Sequence, residues 1–242
     1  MLSKQELKII RQLSQKKYRK ELGKFIVEGE KMVNELIKSS VKIQRIYGLQ
    51  SWKDKNSTID CEIITNKELS QCSQLRTPNE VLAIAEIPNH RVPTARAFFL
   101  CLDDISDPGN LGTILRTAAW FGIKNVICSE KTADVYNIKA AQSTMGAIFQ
   151  LNIEYTDLES WLLEIKKEKK DIRIVGAQLE GEELSNYHWP TSTCLVLGSE
   201  SHGISPSIKA LLDQSVIIPG GGTESLNVGI AGGILMASHF MR

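Results

Sequence analysis

Apolar residues follow two alternating rhythms along the chain. Leu7, Ile10 and Leu13 fall at helical spacing among charged residues, which predicts an amphipathic helix within residues 1–24. Phe25, Ile26 and Val27 form a short strand pattern, Gly29 allows a turn, and Met32, Leu36 and Ile37 mark a second amphipathic helix. Val41–Tyr47 alternates apolar and polar residues and predicts a strand, as does Ile59–Ile64, and Lys67–Leu75 predicts a short helix. Val81–Ile87 is an almost unbroken apolar run, the pattern of a strand buried on both faces. The stretch that follows holds Pro88, Pro93, Arg91 and Arg96 without apolar periodicity. These features place a small α/β domain at residues 1–88, a linker at 89–97 and a second domain at 98–242.

In the second domain strands are predicted from Phe98, at Asn125–Ser129, Gln150–Tyr155, Ile172–Ala177, Cys194–Leu197 and Val216–Ile218. Helices are predicted at Asn110–Phe121, weakly at Ala140–Ile148, and at Leu158–Lys169, Pro206–Leu212 and Leu226–Phe240. This alternation fits an α/β fold with a mostly parallel sheet between helical layers.

Composition narrows the class. With 242 residues, 42% hydrophobic and 24% charged, the chain suits one large or two modest globular domains, not a disordered chain. The longest apolar run, Gly229–Ala237, is far short of a membrane span, and charges interrupt the N-terminal segment where a signal peptide is apolar. A soluble, cytoplasmic protein is expected. The 5 cysteines lack C-x-x-C spacing and read as small buried hydrophobes in a reducing compartment. The 4 histidines have no metal-ligand spacing, so no metal site is expected.

The net charge of +1 hides an asymmetry. Lys4, Lys8, Arg11, Lys16, Lys17, Arg19, Lys20 and Lys24 crowd the first segment against Glu6 and Glu21. Such a segment is either a phosphate-binding face or a solvated helix face.

Three loops carry the candidate chemistry, each after a predicted strand, where open α/β sheets place ligands. In the first, Asp103–Gly112, Asn110 is a candidate cap for the following helix. Arg116, within that helix, is either a partner for Asp103 or Asp104 or an anion clamp. The second, Leu197–Gly203, carries Glu200 between Gly198 and Gly203, which permit close backbone approach. It departs from the serine nucleophile elbow, because Ser199 stands where the first glycine belongs. The third, Ile217–Asn227, has three successive glycines, with Ser225 or Asn227 able to cap the next helix. No Lys-Ser/Thr follows the glycines, so it is not a P-loop.

Together, N-x-G-x-x-x-R-T-A at 110–118, L-G-S-E-x-x-G-I at 197–204 and I-P-G…E-S-L-N-V at 218–228 resemble the SpoU family of ribose 2′-O-methyltransferases, the TrmH-like branch of the SPOUT class. The likeness covers nearly the whole chain: GKFIVEGEKMVNEL and TPNEVLAIAEIP resemble that family's substrate-binding domain, and STMGAIFQLNI its middle segment. The resemblance implies a deep trefoil knot in the C-terminal domain, a feature that periodicity does not suggest. It implies S-adenosylmethionine as cofactor, held by Gly198, Ile218 and Leu226 through backbone groups, with Leu197 and Pro219 at the adenine. Arg116 matches the family's catalytic arginine, and Asn110, Glu200, Ser225 and Asn227 its supporting polar residues. It implies a homodimer through the knotted domain, with Arg116 of one subunit facing the other's cofactor. One departure is Gly229, where the motif usually has serine.

An RNA substrate gives the basic segment a purpose: Lys16, Lys17, Arg19 and Lys20, with Arg91 and Arg96 of the linker, are candidate phosphate contacts. The resemblance of the N-terminal domain implies ribosomal RNA more than transfer RNA. A transfer-RNA methyltransferase of the same fold, a non-catalytic ribosome-assembly factor and a nicotinamide-dependent Rossmann enzyme are the alternatives, the last lacking the early glycine fingerprint.

Overall fold

The computed structural model describes residues 2–89, 98–220, 222 and 224–241. The expected linker contacts Arg91 and Arg96 lie outside the described residues. The chain gathers into two compact units: Met1–Asn89 with Asp134–Gln150, and His90–Ala133 with Leu151–Arg242.

The first unit opens with two helices, α1 (Lys4–Gln12) and α2 (Lys16–Leu22), where one was expected. Ser3 and Glu6 form a capping box that starts α1. The Ser14 hydroxyl turns back to Arg11 O at 2.7 Å, a local bond that competes with helix continuation, and Gln15 is extended. Then follow β1 (Lys24–Glu28), α3 (Glu30–Lys38), β2 (Ile43–Gly48), α4 (Gln50–Lys55), β3 (Glu62–Ile63), α5 (Asn66–Cys72) and β4 (Val81–Glu86). Helix α4 was not expected, because Trp52 is its one buried residue and a single apolar position has no period. The strands order as β1-β4-β2-β3, so the most continuously apolar strand, β4, lies inside the sheet. Ile10 and Leu13 pack with Ile26, Tyr47, Leu69 and Leu82 on one face of it.

The second unit is built on β5 (Phe99–Leu102), α6 (Pro108–Trp120), β6 (Asn125–Ser129), β7 (Asn152–Thr156), α8 (Leu158–Glu168), β8 (Arg173–Glu183), β9 (Thr193–Leu197), α9 (Pro206–Lys209), β10 (Gln214–Ile217) and α10 (Val228–Phe240). Its six strands order as β10-β8-β9-β5-β6-β7, and every neighbouring pair is parallel. The chain runs from β5 out to β7, crosses to β8, and then inserts β9 beside β5. The order therefore reverses at the β9–β5 pair, the place where parallel sheets open a crevice at the strands' carboxyl ends. Strands β5, β6 and β9 are buried throughout, which explains the apolar runs at their centres, with Asn125, Ser129 and Thr193 as buried polar ends.

Between β6 and β7 the chain leaves this unit. Residues Asp134–Gln150, with α7 (Ile138–Thr144), pack with the first unit, although their place in sequence lies inside the second. Tyr136 lies against Phe25 with ring centroids 4.7 Å apart, and Gln142 Nε2 donates to Glu28 O at 2.6 Å. Arg19 donates from Nε and Nη2 to Asp134 Oδ2, at 3.0 and 2.5 Å, and from Nη1 to Leu13 O at 2.7 Å.

All five cysteines are free thiols, and Cys72, Cys101, Cys128 and Cys194 are buried. Burial pushes the Cys72 thiol up to about 11 and those of Cys101 and Cys128 well above the ordinary value, so these sulfurs stay protonated and act as packing groups.

Candidate active site

The loops after β5, β9 and β10 meet at the carboxyl edge of the second unit's sheet. Asp103, immediately after β5, is buried and ties the first two together: its N–H donates to Leu197 O at 2.9 Å, and its Oδ2 accepts from Ser205 N at 2.7 Å. The second loop folds tightly on itself through reciprocal backbone bonds between Ser199 and Gly203. A Cβ on Gly198 would stand 2.2 Å from Gly203 C and Ile204 N, so no other residue fits there without moving the backbone.

Asp107, not Asn110, is the cap of α6; its Oδ1 accepts from Asn110 N at 2.8 Å, with Pro108 in the first helical position. This corrects the expectation for Asn110 and explains its role. Placed in the first turn and relieved of capping, the Asn110 side chain is free to reach the other loops. Its Nδ2 donates to Glu200 Oε1 in a very short bond, and its Oδ1 accepts from Asn227 Nδ2 at 2.9 Å. Asn227 Nδ2 also donates to Glu200 Oε1 at 2.9 Å. Asn227 Oδ1 caps α10, accepting from Gly229 N at 3.0 Å and Ile230 N at 3.3 Å. Three residues from three loops thus close a polar triangle. One Glu200 oxygen is committed to it, while Oε2 has no hydrogen bond among the described residues.

Arg116 lies on the exposed side of α6, in one row with Thr113 and Trp120. It has no ion pair among the described residues. Asp103 is occupied as described, and Asp104 accepts from Ser129 Oγ at 2.7 Å and stands 3.7 Å from Lys131. The alternative of a local salt bridge for Arg116 is therefore overturned, because both carboxylates serve the loop. Ser225 is exposed in the segment leading to Asn227. Leu197 is buried at the end of β9, Ile218 is half-buried, and Pro219 and Leu226 are exposed. Gly221 and Thr223 of the glycine loop lie outside the described residues.

Of the candidate phosphate contacts in the first unit, Lys16, Lys17 and Lys20 are exposed on α2. Arg19 is 3% exposed and committed to Asp134 and Leu13, so it is not a surface cation. Among the described residues no group of three His, Cys, Asp or Glu is placed to hold a metal, and no helix is long and apolar enough to cross a membrane. Two site residues were not singled out by the sequence pattern. Asp103 was considered only as a partner for Arg116. Asp107 was legible as a cap, since an Asp-Pro pair immediately before a helical run is a start signal.

Residues 97–237 match the model of the SpoU rRNA Methylase family. The chain belongs to this family. Residues 4–83 match a second model, an MRM3-like substrate binding domain. Among the SpoU protein's relatives is the 23S rRNA (guanosine(2553)-2′-O)-methyltransferase RlmP of Bacillus subtilis, 30% identical over 237 residues, covering 96% of this chain and 94% of that one. A TrmH-family structure from Porphyromonas gingivalis superimposes with a TM-score of 0.90 at 34% identity, covering 98% of each chain. The AdoMet-bound rRNA methyltransferase of Sinorhizobium meliloti superimposes with a TM-score of 0.86 at 26% identity, covering 98% of this chain and 95% of that one. By contrast, the A. aeolicus TrmH/SpoU tRNA modifying enzyme covers 60% of this chain, with a TM-score of 0.53.

Proposed function

We propose that this SpoU protein transfers the methyl group of S-adenosylmethionine to a ribose 2′-hydroxyl of ribosomal RNA. The observation that carries the reading is the Asn110–Glu200–Asn227 triangle at the sheet's reversal point, in a chain matched end to end by an enzyme named for that reaction. The substrate-binding match at 4–83 and the partial coverage by the tRNA enzyme favour ribosomal over transfer RNA. A cytoplasmic location belongs to the same reading.

The residues present suit the cofactor. Leu226 is 46% exposed beside the glycine loop, an apolar surface that an adenosine group would cover, with the half-buried Ile218 as further lining. Gly220 offers backbone with open space beside it, and Glu200 suits a cationic sulfonium. When bound, S-adenosylmethionine supplies an electrophilic methyl group. Gly198, Ile218 and Leu226 would hold it through main-chain groups, with Leu197 and Pro219 against the adenine.

The chain's own contribution is alignment and charge. Asn110 and Asn227 fix Glu200, whose free Oε2 would accept the ribose hydroxyl's hydrogen bond, with Ser225 adding a hydroxyl. As the oxygen–methyl bond forms and the sulfur–methyl bond breaks, the hydroxyl's proton would pass through Glu200 to water and S-adenosylhomocysteine would leave. Arg116 supplies positive charge that stabilises the developing alkoxide or an adjacent phosphate. Holding the two reactants in line is worth on the order of 7 kcal/mol or more of barrier in favourable cases.

Arg116 lies outside the triangle, on a face that a second copy would cover. Ile230 (54% exposed) and Ile234 (37%) of α10 and Trp120 (83%) of α6 leave apolar surface bare there, which supports a homodimer bringing Arg116 to the partner's site. The trefoil knot belongs to the same reading.

The test is methyl transfer from labelled S-adenosylmethionine to 23S ribosomal RNA, with calorimetric titration of the cofactor. Arg116→Ala should abolish turnover and keep cofactor binding, and Leu226→Arg should lose both. A folded wild-type protein that binds the cofactor but methylates no ribosomal RNA sinks the substrate assignment. Equal loss of binding and turnover in Arg116→Ala assigns Arg116 a structural role instead.

A further inference from the structure

We infer that the groove between α1 and α2 is a subsite for single-stranded RNA, seating one unpaired base on Tyr18 with the neighbouring phosphates on Lys4, Lys8 and Arg11. The inference rests on the RNA-methyltransferase reading and adds where the first unit grips the substrate. The groove has a volume of about 440 Å³, within the range of small-ligand sites. Its walls are Lys4, Leu7, Lys8 and Arg11 from α1, with Gln12, Gln15 and Tyr18. They carry three cations and no carboxylate.

The charge is arranged along one line. Lys4, Lys8 and Arg11 fall at i, i+4 and i+7, a single stripe about 10 Å long at ~1.5 Å per residue. Opposite charge is directed elsewhere: Glu6, the acidic residue of α1, bonds to Ser3 and to Arg45 Nη1 at 2.6 Å, away from the stripe. Lys4 and Lys8 have no ion pair among the described residues. Arg11 spends only Nε, on Gln71 O at 3.2 Å, which fixes the side chain and leaves both terminal nitrogens for a phosphate.

The aromatic element distinguishes the groove from a merely basic surface. Tyr18 is half-buried in the wall, and Lys17 Nζ lies 5.8 Å from its ring centroid. A fixed aromatic face among cations is the combination that takes a splayed-out base and its backbone. A paired helix would keep its bases stacked and out of reach of Tyr18. The groove spans the helix break at 13–15, lined by α1 on one side and by Gln15 and Tyr18 on the other.

The test uses the full chain, a short fluorescein-labelled oligouridylate, and a blunt RNA duplex of equal length, read by fluorescence anisotropy across a salt series. Lys4→Gln/Lys8→Gln should lower the slope of log affinity against log salt by about 1.4, at ~0.7 per phosphate contact on a single strand. Tyr18→Ala should weaken oligouridylate binding roughly 5- to 150-fold, the effect of losing one stacked base, while Tyr18→Phe should bind as the wild type does. An unchanged slope in the double variant overturns the inference. So does duplex binding equal to that of the single strand and insensitive to Tyr18. Methyl transfer to ribosomal RNA by the same preparations separates the two readings. Groove-dependent oligouridylate binding without transfer would fail the enzymatic reading and keep the groove; transfer with groove-independent binding would do the reverse.

Discussion

Replacing Arg19 with methionine decides between two roles for the basic N-terminal segment. Arg19 is 3% exposed and its partner Asp134 12%, so the pair is nearly out of water. The guanidinium makes two bonds to Asp134 Oδ2 and one to Leu13 O, while Asp134 Oδ1 accepts from Tyr136 N at 2.9 Å. Arg19→Met keeps much of the stem's volume but leaves a buried carboxylate without its cation. Breaking one side of such a pair costs about 3–5 kcal/mol, a large part of the roughly 5–15 kcal/mol that holds a domain folded. Arg19→Met/Asp134→Asn removes both charges and should recover part of the loss, because the penalty comes from the uncompensated charge and not from a missing attraction. Urea unfolding of the wild type, both single variants and the double variant measures this directly. The salt slope of RNA binding should be unchanged in Arg19→Met at temperatures where it is folded. The reasoning would be refuted by an Arg19→Met protein of wild-type stability whose RNA slope falls by about 0.7, the signature of a phosphate contact.

Other perturbations follow from the same geometry. Asn227→Ala removes the α10 cap and one arm of the triangle; it should cost about 1–2 kcal/mol in thermal unfolding and lower turnover more than cofactor affinity. Gly198→Ala forces a Cβ to within 2.2 Å of backbone and should abolish calorimetric cofactor binding in a protein that keeps its far-ultraviolet spectrum. Glu28 is buried, and desolvation raises its carboxyl above 4.5 despite hydrogen bonds from Ser73 and Gln74 N. The folded state then holds its proton more tightly than the unfolded state. Its contribution to stability is greatest at low pH, falls as pH rises from about 4.5 through the raised value, and stays low above it. Glu28→Gln should flatten this part of the stability–pH curve, whereas Glu28→Ala should cost about 1–3 kcal/mol at neutral pH by orphaning its donors.

Legibility in the sequence tracked local pattern. The buried strands β4, β5, β6 and β9 were plain because each carries a short apolar run. The start of α6 was misplaced by two residues because Asn110 was read as its cap in place of Asp107, whereas Asn227, one of two caps expected for α10, does cap it. The Asn110–Glu200–Asn227 triangle was legible as three separate loops and, through the family motifs, as a set. Its bonding was not, because residues 90 and 27 positions from Glu200 meet only once the sheet is assembled. Arg19 misled for a related reason. Charge counted along a sequence does not reveal that Asp134, 115 positions away, will bury one cation of eight. The break between α1 and α2 turned on a single serine hydroxyl, too small a signal to interrupt a favourable hydrophobic period.

The excursion of Asp134–Gln150 bears on how such a protein can be rearranged in evolution. The backbone passes between the two compact units after Asn89, again at Asp134 and again at Leu151. A single recombination at residues 90–97 would therefore not exchange one whole module for another. The hybrid would keep its old α7 while losing Phe25, Glu28 and Arg19, to which Tyr136, Gln142 and Asp134 are fitted. A new substrate-reading unit must arrive with its own insert or evolve in place around the old one. Shared packing through this segment thus makes the two units a single heritable piece, and changes of target are expected to come from drift in surface residues, not from shuffling of whole domains.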